Sequence, residues 1–129
     1  MSEPKRVLLV EDDPGYQELA ETILGGMFEL TVCSSVEEAM GKLDAGQRYS
    51  LIISDINLFG MTGLEMLSRR RQAGVTESSP IVMCSSQSDP ATRERVLSMG
   101  AAGFIAKPYD FEEVVALVRK LLSDADRPA

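Results

Sequence analysis

Val7-Leu8-Leu9-Val10-Glu11-Asp12-Asp13-Pro14, VLLVEDDP, sets four apolar residues directly before three carboxylates and a proline. Side chains alternate across a strand, so four aliphatic residues in a row predict a strand covered on both faces. Strands of that kind belong to parallel sheets with helices above and below. Asp13-Pro14 offers an N-cap and a first-turn proline, so a helix follows at once. The carboxylates are then stranded at the carboxyl end of a buried strand, which is where open α/β sheets bind ligands.

The same alternation runs through the chain. Tyr16, Leu19, Ala20, Ile23, Leu24 and Met27 share one helical face, with Gly25-Gly26 near the stop. Leu30–Cys33 is a second strand, and Ser35-Val36-Glu37-Glu38 is a capping box opening a helix that turns Ala39, Met40 and Leu43 inward. Leu51–Ile53 is a third strand, with Gly63–Ala73 a third helix ended by Gly74. Ile81–Cys84 follows Pro80 as the fourth strand, and Asp89-Pro90 starts a fourth helix ending near Gly100. Ala102–Ala106 is a weaker fifth strand before a last helix with Phe111, Val114, Val115, Val118, Leu121 and Leu122 on one face. Five βα units predict one domain with a parallel sheet between helical layers. The fourth helix, with Arg93, Glu94 and Arg95 in its middle, reads as the least apolar and the most loosely held. The tail from Ser123, SDADRPA, reads as polar and frayed.

A chain of 129 residues that is 44% hydrophobic fills a single core, and that core is aliphatic because Trp is absent and aromatics make up 5%. The net charge of −7 argues against direct contact with nucleic acid, which needs a basic footprint. The one basic run, Arg69-Arg70-Arg71, reads as a solvated helix face. No stretch reaches the roughly 18 apolar residues that cross a bilayer, and MSEPKR leads into no signal-peptide core, so a cytoplasmic protein is expected. Cys33 and Cys84 lie in apolar runs and read as reduced core residues. The chain has no histidine, which removes histidine bases, Ser-His triads and most zinc chemistry.

Every residue awkward for a core falls at a strand's carboxyl end: Glu11, Asp12 and Asp13 after the first, Ser54 to Asn57 after the third, Ser85 and Ser86 after the fourth, Lys107 and Pro108 after the fifth. Carboxylates crowded in one cleft repel each other, and a divalent cation relieves the repulsion. Magnesium suits oxygen donors and keeps waters, so Asp12, Asp55 and a backbone carbonyl would hold it with positions to spare. Lys107 offers a point charge, and Ser85 a hydroxyl, to phosphoryl oxygens. Taken singly, Asp13 reads as a helix cap, Asp55 equally as a turn residue, Lys107 as solvated, and Ser85 as nothing in particular. Their convergence on one edge carries the functional reading.

These residues resemble the receiver domain of two-component response regulators, the chemotaxis-regulator fold, over essentially the whole chain. VLLVEDDPGYQELA is similar to the family's opening strand with its acidic pair, and LIISDINLFGMTGLEML to the segment around its phosphorylated aspartate. PIVMCSS resembles the strand ending in the switch hydroxyl, and GAAGFIAKPYDFEEVVALV the segment around the lysine. The resemblance implies a flavodoxin-like (βα)5 doubly wound α/β fold with strand order 2-1-3-4-5. It assigns 1–124 to a receiver domain and 125–129 to a tail, with no output domain.

By the same resemblance, Asp55 is the phosphoacceptor. Asp12 is a direct ligand of Mg2+ (Mn2+ can replace it), Asn57 lends its backbone carbonyl, and Glu11 reaches the metal through water. Lys107 pairs with the phosphoryl group, Pro108 follows a cis bond, and Ser85 and Phe104 are the switch pair. Asn57 and Gln87 border the path of the hydrolytic water and imply moderate to fast self-dephosphorylation. Phe59 stands where Pro is frequent, Thr62 where Asp is frequent, and Ser85 lacks the methyl of the commoner Thr. The implied donor is a sensor histidine kinase or a histidine phosphotransfer protein. The implied output is a protein target on the face made by the fourth helix, fifth strand and fifth helix. The chain is then no enzyme beyond its own phosphorylation and dephosphorylation, and a monomer or a phosphorylation-dependent homodimer, without direct nucleic-acid or membrane contact.

Three other readings compete. A haloacid-dehalogenase-type phosphatase wants a second acid where Asn57 stands and generally a longer chain. In a flavin module, Glu11-Asp12-Asp13 would repel the phosphate that the first loop must cradle. A receiver-like interaction module that is not phosphorylated conflicts with an intact acidic pair, Asp55, Ser85 and Lys107.

Overall fold

The computed structural model describes residues 5–58, 60–75, 79–87 and 89–125. Phe59 and residues 126–129 lie outside the described residues, while 123–125, expected in a frayed tail, continue the last helix. Five strands and five helices alternate: β1 Arg6–Val10, α1 Pro14–Leu24, β2 Glu29–Cys33, α2 Val36–Asp44, β3 Leu51–Asp55, α3 Gly63–Gln72, β4 Ile81–Ser85, α4 Pro90–Ser98, β5 Gly103–Ala106 and α5 Phe111–Ala125. The strands form one parallel sheet in the order β2-β1-β3-β4-β5, the flavodoxin-like doubly wound α/β arrangement.

Alternation along each strand builds two cores. Leu8, Val10, Ile52, Ile81 and Met83 face one layer, where Val36 and Ala39 of α2, Met66 and Leu67 of α3, and Val96 of α4 meet them. Val7, Leu9, Ile53, Val82 and Cys84 face the other, against Ala20, Ile23 and Leu24 of α1 and Val114, Val118 and Leu122 of α5. A strand buried on both faces has no polar side, which is why VLLV lacks one. From β1 the chain passes outward to β2, then back across β1 to β3. The loops after β1 and β3 therefore part, and the crevice between them opens above the carboxyl ends of the sheet.

Several expectations need correction. β3 and β4 run on through Ser54-Asp55 and Ser85, because the ladder pairs Asp55 with Cys84 and Ser85 with Ala106. These polar residues end strands rather than begin loops. Met27 lies past the end of α1 and is exposed, its Sδ accepting a bond from Arg119. Phe111, expected inward, is 49% exposed. α4 buries only Val96, yet the triple-arginine α3 is the more polar helix by composition and buries Gly63, Met66 and Leu67. Within that basic run Arg69 is exposed, but Arg70 is half-buried and burial lowers its guanidinium below the usual value. Arg71 Nη1 donates to the Ser98 carbonyl at 3.3 Å, tying α3 to the end of α4.

Candidate functional site

The strand ends bring Glu11, Asp55, Ser85 and Lys107 to one edge of the sheet. Glu11 N donates to the Cys33 carbonyl, Ile56 N to that of Cys84, and Lys107 N to that of Ser85, so each loop leaves the sheet in register. Lys107 Nζ donates to Asp55 Oδ2 and to Glu11 Oε1, each at 2.5 Å. The lysine side chain is 6% exposed and that of Glu11 is 1% exposed. Burial raises the Glu11 carboxyl above its ordinary value, against the bonds from Lys107 and the Asp13 N–H. Burial by itself would lower the Lys107 ammonium, but its two carboxylate partners prevail and hold it above its ordinary value.

Two strand ends close in the same way. Asp55 Oδ1 accepts from Asn57 N at 3.0 Å, and Ser85 Oγ accepts from Gln87 N at 3.0 Å. Each turn orients the functional oxygen and leaves the Asn57 and Gln87 side chains exposed beside it. Because Ser85 Oγ accepts its backbone bond, its hydroxyl proton remains available to donate. Phe104, on β5, is half-buried against the α2–α3–α4 core. The Lys107–Pro108 bond is cis.

Two further features support this edge, and sequence reasoning missed both. Gly63 opens α3 so close behind Asp55 that a Cβ there would strike the Asp55 carbonyl and Ser54 Oγ. Glu37, in the first turn of α2, accepts from Met61 N at 2.8 Å across the sequence. It fills the space beside Gly60, whose φ of 79° disfavours any residue with a Cβ. The carboxylate thus straps the loop that leaves Asp55. No local pattern could have shown the strap; the glycine two residues after Met61 was visible only as a helix start.

The remaining acid behaves differently. Asp12 is exposed, and its carboxylate has no hydrogen bond or ion pair among the described residues. Glu11 is turned away to Lys107 and the Asp13 N–H, so both of its oxygens are engaged by protein donors. Among the described residues no three acidic or thiol side chains cluster as a metal cage. The donors on offer are two carboxylates, Asp12 and Asp55, and the Asn57 carbonyl. That set fits magnesium, which commonly takes one or two carboxylates and retains water. Three carboxylates against one ammonium also leave the edge negative, as a divalent cation requires.

Comparisons with known proteins identify the family and the fold. The family described as response regulator receiver domain matches residues 7–119. The response regulator Rre1 of Synechocystis sp. is 31% identical over 125 residues, which are 95% of this chain and 54% of that protein. The transcriptional regulatory protein TctD of Salmonella typhimurium is 33% identical over 117 residues, 91% of this chain and 51% of that protein. The chain therefore spans about half the length of these relatives. Among solved structures, the chemotaxis response regulator CheY4 of Vibrio cholerae superposes with a TM-score of 0.82 at 25% identity, covering 92% of this chain and 99% of that one. The signal receiver domain of a signal transduction histidine kinase from Syntrophus aciditrophicus gives 0.83 at 29% identity, covering 97% and 95%.

Proposed function

The chain belongs to the response regulator receiver domains, and from that premise we propose that it is a phosphorylation-driven signalling switch with Asp55 as phosphoacceptor. One observation carries the reading: the Lys107 ammonium is held on the Asp55 carboxylate at the mouth of the crevice. A carboxylate oxygen of Asp55 attacks phosphorus in line. The bond from phosphorus to a donor imidazole nitrogen breaks, and its electron pair leaves with that nitrogen. This chain has no histidine to serve as donor, so the group comes from a partner, and membership of the receiver family implies a histidine kinase or a histidine phosphotransfer protein. Lys107 stays protonated and follows the charge from the carboxylate to the phosphoryl oxygens, while the Ser85 hydroxyl donates to another. Asp12, Asp55 and the Asn57 carbonyl would hold Mg2+ or Mn2+, and the bound ion would supply positive charge to the phosphoryl group. Each Glu11 oxygen, though engaged by a protein donor, keeps a second lone pair for a metal-bound water.

Drawing Ser85 toward the phosphoryl group vacates space beside Phe104, whose ring turns inward. The face made by α4, β5 and α5 repacks, shifting a population already accessible to the chain. A protein target reads that face, and the weak burial of α4 keeps the barrier low. Asn57 and Gln87 orient the water that resets Asp55. The chain then catalyses only its own phosphorylation and dephosphorylation, and works in the cytoplasm as a monomer or a phosphorylation-dependent homodimer. No helix among the described residues is long and apolar enough to cross a membrane.

Intact-mass measurement after incubation with acetyl phosphate and magnesium tests the reading. The expected result is a gain of one phosphoryl group, lost in Asp55→Asn and lost without metal. No gain from acetyl phosphate, and none from a phosphorylated histidine donor, would overturn it.

A further inference from the structure

Lys107 has a third partner besides its two carboxylates. Its Nζ lies 4.1 Å from the centroid of the Tyr16 ring, in the first turn of α1. Tyr109 in turn packs edge-to-face with that ring, with centroids 5.1 Å apart and planes at 73°. Both tyrosines are placed firmly. Asp13 Oδ1 accepts from Gly15 N at 2.8 Å and Tyr16 N at 3.4 Å, fixing the turn that carries Tyr16. Tyr109 is half-buried, packed against the α1–α5 core with its hydroxyl beside the Cys84 thiol. The Tyr16 hydroxyl makes no hydrogen bond among the described residues, so it is the ring face that the site uses.

We propose that Tyr16 is a positioning residue for the Lys107 ammonium, closing the α1 side of the site and keeping the charge against Asp55 as a phosphoryl group arrives. This rests on the reading of Asp55 as phosphoacceptor. Hydrogen bonds to Asp55 and Glu11 are directional, and the one to Asp55 must be exchanged for a phosphoryl oxygen during transfer. Attraction to a ring face is broad and survives a small displacement of the cation. Tyr16 therefore holds Nζ through that exchange, when Glu11 would otherwise draw it back into the buried pocket. A tyrosine that merely fills space between α1 and α5 would make none of these demands on Lys107.

Tyr16→Leu keeps apolar bulk and removes the ring face, whereas Tyr16→Phe keeps the face and removes only the idle hydroxyl. In labelled protein the Lys107 ε-methylene protons should be shifted upfield by the ring in wild type and in Tyr16→Phe, and should lose that shift in Tyr16→Leu. Phosphorylation by phosphoramidate at saturating magnesium should slow about three- to tenfold in Tyr16→Leu, the span a partly desolvated cation–π contact supplies, and recover in Tyr16→Phe. An unshifted Lys107 signal in wild type would overturn the proposal. So would a Tyr16→Leu variant that lacks the shift and still reacts at the wild-type rate. If the wild type accepts no phosphoryl group from any donor, the reading of Asp55 is what fails, and the proton shifts alone decide whether Tyr16 holds the ammonium.

Discussion

Glu11 and Asp55 share one cation: Lys107 Nζ lies 2.5 Å from Glu11 Oε1 and from Asp55 Oδ2. Remove the ammonium and two carboxylates are left side by side, one of them 1% exposed. Truncating one partner of a buried ion pair costs about 3–5 kcal/mol, and the open crevice beside Asp55 reduces this, so Lys107→Met should lose about 2–3 kcal/mol at pH 7. Lys107 is held above its ordinary value of 10.5 in the folded state. Its stabilising contribution is therefore complete below that pH and is lost as pH rises through the raised value. Urea unfolding at neutral pH and in strong alkali checks both statements. Equal stability of the two proteins at pH 7 would show that the pair contributes nothing.

Asp12 stands in contrast, because no group among the described residues neutralises it. Without metal, Asp12→Asn should be slightly more stable than wild type, by about 0.5 kcal/mol, since one of three like charges is gone. Added magnesium should then stabilise only the wild type. The gain is RT ln(1 + [Mg2+]/Kd), about 1.4 kcal/mol at ten times Kd. Urea midpoints in chelator and in magnesium chloride measure the two effects. The same magnesium-induced shift in both proteins would place the ion elsewhere.

The burial of Glu11 has its own signature in pH. Its folded-state carboxyl sits above the ordinary value of 4.5 because burial outweighs the bonds it accepts. The folded protein thus holds this proton more tightly than the unfolded chain. The contribution to stability is complete below 4.5 and falls away as pH rises through the raised value. Wild-type stability minus that of Glu11→Gln should decline with rising pH just above 4.5 and then level off. Unfolding curves at closely spaced pH values give that difference. A rising difference would mean that Lys107 outweighs burial at this carboxylate.

Most of the fold could be read from patterns with a single physical meaning. Four aliphatic residues in a row have one home, a strand covered on both faces, and each such run ends where a polar residue meets the edge of the sheet. Asp13, Ser35 and Asp89, legible as caps, accept helix N–H groups through their side-chain oxygens, and Thr62, not read as one, does the same for α3. Helical spacing is less informative, because it gives the direction of a side chain around the axis and not its height along it. Phe111 and Val118 are two turns apart and point the same way, yet Phe111 lies past the rim of the sheet and is exposed while Val118 is buried. Tyr16 shares a face with Ala20 and Ile23 but sits one turn higher, where the neighbour is no longer core but the Lys107 ammonium. The Glu37 strap and the Glu11–Lys107 pair join residues with no local relation. Only the assembled sheet brings them together.

Gly63 and Gly41 make opposite predictions from the same substitution. A Cβ on Gly63 would collide with the backbone carbonyl of Asp55, a group held in the sheet that cannot move aside without distorting the site. Gly63→Ala should cost about 1–3 kcal/mol, the usual range for overpacking, and should slow phosphorylation of Asp55 as that carboxylate is displaced. Gly41 lies within α2 with nothing within 4 Å of its would-be Cβ. There Ala should stabilise by about 0.5–1 kcal/mol, because glycine is the poorer helix former, and should leave the phosphorylation rate unchanged. Chemical denaturation and phosphoramidate kinetics on the two variants make the comparison. Gly63→Ala matching Gly41→Ala in both measurements would mean that α3 can draw back from Asp55, and that the close approach places no demand on the residue at position 63.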